Sequence, residues 1–222
     1  MKNYDEERSE KLLKLYSGAI TDIMDSISPD YRNQTLPSDL RPLTSNMKVA
    51  GPVYTVRGNK RFYDDGHDPR YKQMDMLDGI FPGSIIVMDS GDEKSAAHWG
   101  ELMSKTSMEK GSKGAIIHGG IRDTEEIIKH EFPVFACYHS PLTAVYRYNI
   151  IDFNNPIIIG EVKINPRDYI FGDIDGVVCI PKEIIDDVIN HAEEVKEKED
   201  IVREELSAGK NIRDLFEKYR VF

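Results

Sequence analysis

Two short stretches bring together residue types that can hold an anion and a cation at once. The first is GAIIHGGIRDTEEI, residues 114–127, where an apolar strand-like run enters Gly119-Gly120, then Arg122-Asp123, then a helix signal. The second is HWGELMS, residues 98–104, in which Gly100 precedes Glu101 at the head of another helix signal. Strand-to-helix junctions are where open α/β sheets bind ligands. Glycines let backbone approach a ligand closely. A helix start offers free N–H groups and a positive dipole end, and a guanidinium forks onto a carboxylate or enolate oxygen. If the two junctions are adjacent, Glu101, Arg122 and Asp123 surround one crevice, and two carboxylates with one guanidinium suit a divalent metal carrying an anionic oxygen ligand. A plainer use of the same residues stays open. Asp123-Thr124-Glu125-Glu126 has capping-box spacing, with Asp123 as N-cap and Glu126 three residues on. Glu101 in turn could serve only as a favourable charge on a helix N-terminus.

The elements that must position these residues follow from periodicity and breakers. Apolar residues at helical spacing make residues 5–27 a helix, stopped by Ser28-Pro29. Residues 31–46 read as loop, 49–56 as a strand with an edge or bulge at Gly51-Pro52, and 71–77 as a short helix. Ile85–Met88 is a buried strand, 101–110 a helix closed by Gly111, 115–118 a strand, Gly119-Gly120 a turn, 124–130 a helix and 134–137 a strand. Short strands at 157–159, 162–164 and 177–180 are separated by turns at Asn154-Asn155-Pro156, Asn165-Pro166 and Gly172-Asp173. From Glu183 the chain is helical and charged, with a break at Ser207-Ala208-Gly209. This is a mixed α/β pattern, sheet layers covered by helices, over a single domain spanning 1–222. The long polar loop 57–72 carries Arg57, Lys60, Arg61 and Arg70. These suit an anionic substrate, or are simply solvated.

Composition removes several classes. The 222 residues hold 29 Lys and Arg against 39 Asp and Glu, a net charge of −10. That sign repels nucleic acid and anionic membranes, without excluding a small anion in a local positive pocket. Cys137 and Cys179 have no metal or redox spacing and sit in apolar strand sequence, as core residues would. No apolar run approaches the ~20 residues of a membrane helix. The start, MKNYDEERSEK, lacks the apolar segment of a signal peptide, so a reducing cytoplasm is expected. No strand is followed by a GxGxxG loop, which argues against a nucleotide-type methyltransferase. Lys105 and Lys113 lie in polar sequence, unlike the desolvated lysine of a Schiff-base enzyme. His67, His118, His130, His139 and His191 show no ligand-like spacing, and His118 next to Gly119 has at most a supporting role.

Taken in order, the motifs resemble a known family. FPGSIIVMD (81–89), HWGELMS (98–104), KGAIIHGGIRD (113–123), FPVFACYHSP (132–141), GDIDGVVCIP (172–181) and the tail EDIVREELSAGKNIRDLFEKY (199–219) resemble the class II pyruvate aldolases of the 4-hydroxy-4-methyl-2-oxoglutarate / 4-carboxy-4-hydroxy-2-oxoadipate type, the RraA-like family. The family signature, an acidic residue, twenty residues of any kind and then Arg-Asp, reads here as Glu101, residues 102–121 and Arg122-Asp123.

The resemblance implies a layered α-β sandwich of the swivelling β/β/α type. It implies a homotrimer or dimer of trimers, with the helical tail 183–222 reaching a neighbour. It implies a lyase that cleaves 4-hydroxy-2-oxo acids to pyruvate, with oxaloacetate decarboxylation as a side activity, on a small anionic 2-oxo acid and with Mg²⁺ or Mn²⁺. In that scheme Asp123 binds the metal directly and Glu101 holds it through water. Arg122 is catalytic, at the substrate oxygen that becomes, or neighbours, the enolate. Backbone at Gly100, Glu101, Leu102 and Met103 receives the pyruvyl carboxylate. Glu199 of a neighbouring subunit completes the metal shell, with Glu197 behind it, although EEVKEKED is equally an ordinary solvated helix face. One departure stands out: the aldolases carry Asp where this chain has Glu101, which keeps the charge and displaces it by one methylene. Family members that regulate RNA degradation by binding a ribonuclease lack an acid there, and such a non-catalytic regulator is the alternative.

Overall fold

The computed structural model describes residues 4–63 and 66–221. In chain order the elements are α1 (Tyr4–Leu12), α2 (Ser17–Ile27), β1 (Arg41–Pro42), β2 (Val49–Lys60), α3 (Arg70–Asp78), β3 (Ile85–Asp89), β4 (Ala97–Trp99), α4 (Glu101–Glu109), β5 (Gly114–Ile121), α5 (Thr124–Lys129), β6 (Val134–His139), β7 (Tyr148–Phe153), β8 (Ile157–Ile159), β9 (Val162–Ile164), β10 (Tyr169–Asp173), β11 (Gly176–Ile180), α6 (Ile185–Ser207) and α7 (Ile212–Tyr219).

The main sheet runs β1-β6-β5-β3-β2-β10-β11, with β4 added to β5 and β7 to β2. Its centre, β2-β3-β5-β6, is parallel, and its flanks are antiparallel. The sheet curls until its ends approach: Arg41 of β1 donates from Nη1 to the carbonyl of Asp175, in the β10–β11 turn, at 2.6 Å. The near-continuous apolar runs of the central strands follow from burial on both faces. Ile85, Val87 and Ile116 point into a core closed by the β8–β9 hairpin, Leu36 and Leu40. Ile86, Met88, Ala115 and Ile117 point the other way, under α3, α4 and α5, as the two-residue period of a strand requires. A third core packs α1, α2 and the first half of α6 on β10 and β11. Sheet layers covered by helices are therefore what the chain forms. Among the described residues no helix is long and apolar enough to cross a membrane.

Several boundaries differ from the sequence pattern, each for a tertiary reason. The helix expected over 5–27 is two, because the buried Asp173 carboxylate takes both the Ser17 N–H and the Ser17 hydroxyl, each at 2.9 Å, and fixes a new helix start there. Gly119 and Gly120 belong to β5 and are not a turn. A Cβ on Gly119 would lie 2.6 Å from His98 Nδ1, and one on Gly120 2.3 Å from the Tyr138 ring. The strand is glycine there because His98 of β4 and Tyr138 of β6 pack flush against it. β7 and β10, two strands absent from the sequence reading, pair with opposite ends of β2. Gly172-Asp173 closes β10, and the turn follows it. In the loop 57–72, β2 continues to Lys60, and Asp64 and Asp65 lie outside the described residues, as do residues 1–3 of the charged start.

Candidate active site

β5 delivers Arg122 and Asp123 to the start of α5, and β4, paired to β5, delivers Gly100 and Glu101 to the start of α4. The two junctions are thus adjacent, as the crevice requires, and the Arg122 N–H is bonded to the Trp99 carbonyl at 3.0 Å.

Asp123 occupies the N-cap position of α5 without capping it. Its backbone is left-handed, φ 57° and ψ 34°, and its side chain makes no capping bond. A normal N-cap is extended, so that its oxygen can reach back to the first N–H groups. The left-handed turn aims the carboxylate elsewhere, a conformation that Asp tolerates but that carries some strain. Asp123 Oδ2 lies 3.5 Å from Arg122 Nε, and the side chain remains 45% exposed. A Cβ at Gly100 would come within 2.9 Å of that same oxygen. The glycine is what lets the carboxylate lie against the start of α4.

That start is open. Gly100 has no side chain to cap it, and the first N–H bonded within the helix is that of Ser104, to the Gly100 carbonyl. The N–H groups of Glu101, Leu102 and Met103 precede it without a protein partner among the described residues, an arrangement that receives a carboxylate. Glu101 is held differently: its Oε1 lies 2.9 Å from Nε2 of His130, the residue that ends α5. No local pattern signals this pair, because the partners are 29 positions apart.

Beneath the junctions a buried network sets the loop between β3 and β4. Glu93, 3% exposed, accepts from the Ser95 and Ala96 N–H groups, at 3.1 and 2.8 Å, and from the Ser95 hydroxyl. Burial would raise its pKa, but these bonds and the nearby His98 outweigh burial and hold it below the usual carboxylate range. Burial holds His98 below the usual imidazole range, against the pull of Glu93. His98 Nδ1 accepts the Gly120 N–H at 3.1 Å, so the neutral ring carries its proton on Nε2. Nε2 faces Glu93 Oε2 at 3.1 Å, out of line for a hydrogen bond. His118 contacts Asp89 at 3.1 Å through Nδ1.

Other residues named from the sequence have plain settings. Of the loop cations, Arg57 pairs with Asp152 at 2.7 Å, Arg61 donates to the Val145 carbonyl at 3.2 Å and Arg70 is forked on Asp68. Lys105 and Lys113 are exposed. Cys179 is buried and Cys137 half-buried, both free thiols. Glu199 lies on α6, bonded to the Tyr16 hydroxyl and to Arg203 Nη2, the latter at 2.7 Å.

For a hard divalent cation the donor chemistry fits. Asp123 offers carboxylate oxygens that accept no hydrogen bond among the described residues, and Mg²⁺ is commonly held by one or two carboxylates with water and substrate oxygens completing its shell. Among the described residues no three His, Cys, Asp or Glu side chains form a closed cage.

Fold and site together define a layered α/β protein with an anion-receiving strand-to-helix junction beside a free carboxylate and guanidinium. The chain belongs to the RraA-like family: the Aldolase/RraA model matches residues 20–179, which include both junctions and end before Glu199. It is 37% identical over 177 residues to the uncharacterized protein MJ0644 of Methanocaldococcus jannaschii, covering 79% of this chain and 82% of that one. It is 30% identical over 185 residues to a Halalkalibacterium halodurans protein provisionally named 4-hydroxy-4-methyl-2-oxoglutarate aldolase, covering 83% and 81%. It also matches protein DlpA of Legionella pneumophila at 27% identity, where it spans only 29% of that longer protein. The fold is that of Streptomyces coelicolor RraAS2, described as an unusual member of the RNase ES inhibitor RraA family. That match has a TM-score of 0.79 and 20% identity, and covers 91% of this chain and 98% of that one.

Proposed function

We propose that this chain is a divalent-metal-dependent lyase that cleaves 4-hydroxy-2-oxo acids to pyruvate. The observation that carries the reading is the left-handed Asp123. Its carboxylate is turned away from the helix it precedes and lies against Arg122 and Gly100, which a structural cap would not need. The provisional aldolase name of the Halalkalibacterium relative supports the same reading.

In this scheme Asp123 holds Mg²⁺ or Mn²⁺, with Glu101 acting through water and Glu199 contributed by a neighbouring subunit of a homotrimer or dimer of trimers. The metal, when bound, supplies Lewis-acid polarisation of the 2-oxo group. The N–H groups of Leu102 and Met103 receive the pyruvyl carboxylate. Arg122 meets the C2 oxygen and stabilises the charge that develops there. Loss of the 4-hydroxyl proton turns C4 into a carbonyl as the C3–C4 bond breaks, and its electron pair becomes the C2–C3 enolate. Protonation at C3 then gives pyruvate. The same enolate forms when oxaloacetate loses CO₂, so decarboxylation is expected alongside.

The test is a coupled pyruvate-release assay over a panel of 4-hydroxy-2-oxo acids and oxaloacetate, with Mg²⁺, Mn²⁺ or a chelator. Release that needs the metal and is lost in Asp123→Asn supports the lyase. No metal-dependent release across the panel favours instead a protein-binding regulator, whose acidic surface would meet a basic partner.

A further inference from the structure

His130 is hydrogen-bonded to a residue of the site, Glu101, and nothing in the reaction above uses it. It is the C-cap of α5, and Asp123 is the N-cap, so the six-residue helix lies between the two. Its Nε2 lies 2.9 Å from Glu101 Oε1, with both side chains more than two-thirds buried. Glu101 opens α4, next to the Gly100 that packs on Asp123 Oδ2. The start of α4 is therefore tied to both ends of α5, to its start by the Gly100–Asp123 contact and to its end by the Glu101–His130 bond. A free glutamate at a helix start would sample several rotamers and lose side-chain entropy on being fixed. Here the bond has already selected one. The reach is specific, because an aspartate at 101 would fall short by one methylene.

We infer that His130 is a positioning residue. Its Nε2–H holds the Glu101 carboxylate at a fixed place relative to Asp123, so that the two acids meet a divalent cation as a preorganised pair. This rests on the lyase reading, and it adds a residue to the site that the Glu101/Arg122-Asp123 spacing does not contain. Groups that orient ligands in this way commonly change metal affinity or activity 10–100-fold when removed.

The experiment compares the full chain with His130→Leu, His130→Gln, Glu101→Asp and the Glu101→Asp/His130→Leu double variant. Mn²⁺ affinity is read by electron paramagnetic resonance, and kcat and KM by pyruvate release. Thermal midpoints establish that each variant is folded. His130→Leu and Glu101→Asp should each weaken Mn²⁺ binding by about 10–100-fold and lower kcat more than they raise KM. The double variant should be no worse than the weaker single, because both remove one bond. His130→Gln, whose amide donor can stand where Nε2 stood, should recover most of the affinity. Wild-type Mn²⁺ affinity in folded His130→Leu, multiplicative losses in the double variant, or a His130→Gln as weak as His130→Leu would each overturn the inference. Failure of the lyase reading looks different: Asp123→Asn would then leave Mn²⁺ affinity and pyruvate release unchanged.

Discussion

Glu93 and Asp123 are carboxylates in loops that pack on the same strand, and they have opposite fates. Glu93 is 3% exposed and accepts backbone and hydroxyl hydrogen bonds from Ser95 and Ala96 on both oxygens. Asp123 is nearly half exposed and accepts none among the described residues, with Arg122 Nε at 3.5 Å. The first is a structural anion whose loss would leave buried N–H groups unpaired. The second is held in a strained backbone conformation with its oxygens unoccupied. The contrast separates a residue that builds the crevice from one that can act in it, and it does so without reference to the reaction.

The widest separation is expected at the acting pair. Asp123→Asn and Arg122→Ala should each reduce kcat/KM at least about 100-fold, toward the 10²–10³ typical of losing a charge-stabilising group. Neither should lower the thermal midpoint by more than a degree or two. Asp123→Gly goes further, since glycine adopts φ 57° freely. It should abolish turnover while raising stability by about 1 kcal/mol. Loss of stability in Asp123→Gly would show that the carboxylate has a structural duty after all.

Glu93→Ala reverses that pattern. It strands the Ser95 and Ala96 donors in a buried loop, so unfolding free energy should fall by about 1–3 kcal/mol for each donor left unpaired, as read from urea midpoints. Activity would be lost with the loop and not ahead of it. A fully stable Glu93→Ala protein with no turnover would move Glu93 into the acting group.

Gly100→Ala probes the boundary between the two. Its backbone, φ −157°, accepts alanine, but the new methyl would stand 2.9 Å from Asp123 Oδ2, the free end of a side chain. The chain should fold with a midpoint near that of the wild type, while the displaced carboxylate lowers kcat about 10–100-fold, as small misplacements of reacting groups do.

These contrasts were unevenly legible in the sequence. Ile85–Met88 and Ala115–His118 announce themselves as buried strands, and the helices after Gly100 and Asp123 by period and composition. The Glu101/Arg122-Asp123 constellation could therefore be placed at two strand-to-helix junctions, and the structure sets them side by side. Asp123-Thr124-Glu125-Glu126 fits a capping box equally well, and only the backbone dihedral, set by how α5 is docked, decides against it. Gly119-Gly120 reads locally as a turn, yet its glycines answer to His98 and Tyr138, which arrive from elsewhere in the chain. The break before Ser17 depends on Asp173, 156 residues away, and the Glu101–His130 and Glu93–His98 pairs are likewise products of folding. What local pattern cannot carry is any partner chosen by packing.

The smallest effect is a pH dependence that dissects the buried network. His98 is buried against Glu93, with Asp89 and the Tyr148 ring, at 4.7 Å, also facing it. Its folded pKa is lowered, chiefly by burial, so the unfolded chain binds the proton more readily. Stability from this group is full above the unfolded value near 6.5 and falls as pH drops below it, with a slope of at most about 1.4 kcal/mol per pH unit. Glu93 also has a lowered folded pKa, but its window lies lower: its contribution is full above the unfolded value near 4.3 and is lost in stronger acid. Two steps should therefore appear in unfolding midpoints measured from pH 7.5 downward. His98→Gln should flatten the upper step and leave the lower one. If the upper step persists in His98→Gln, the proton taken up between pH 7 and 5 belongs to another group, and Glu93 is holding its loop without help from the imidazole.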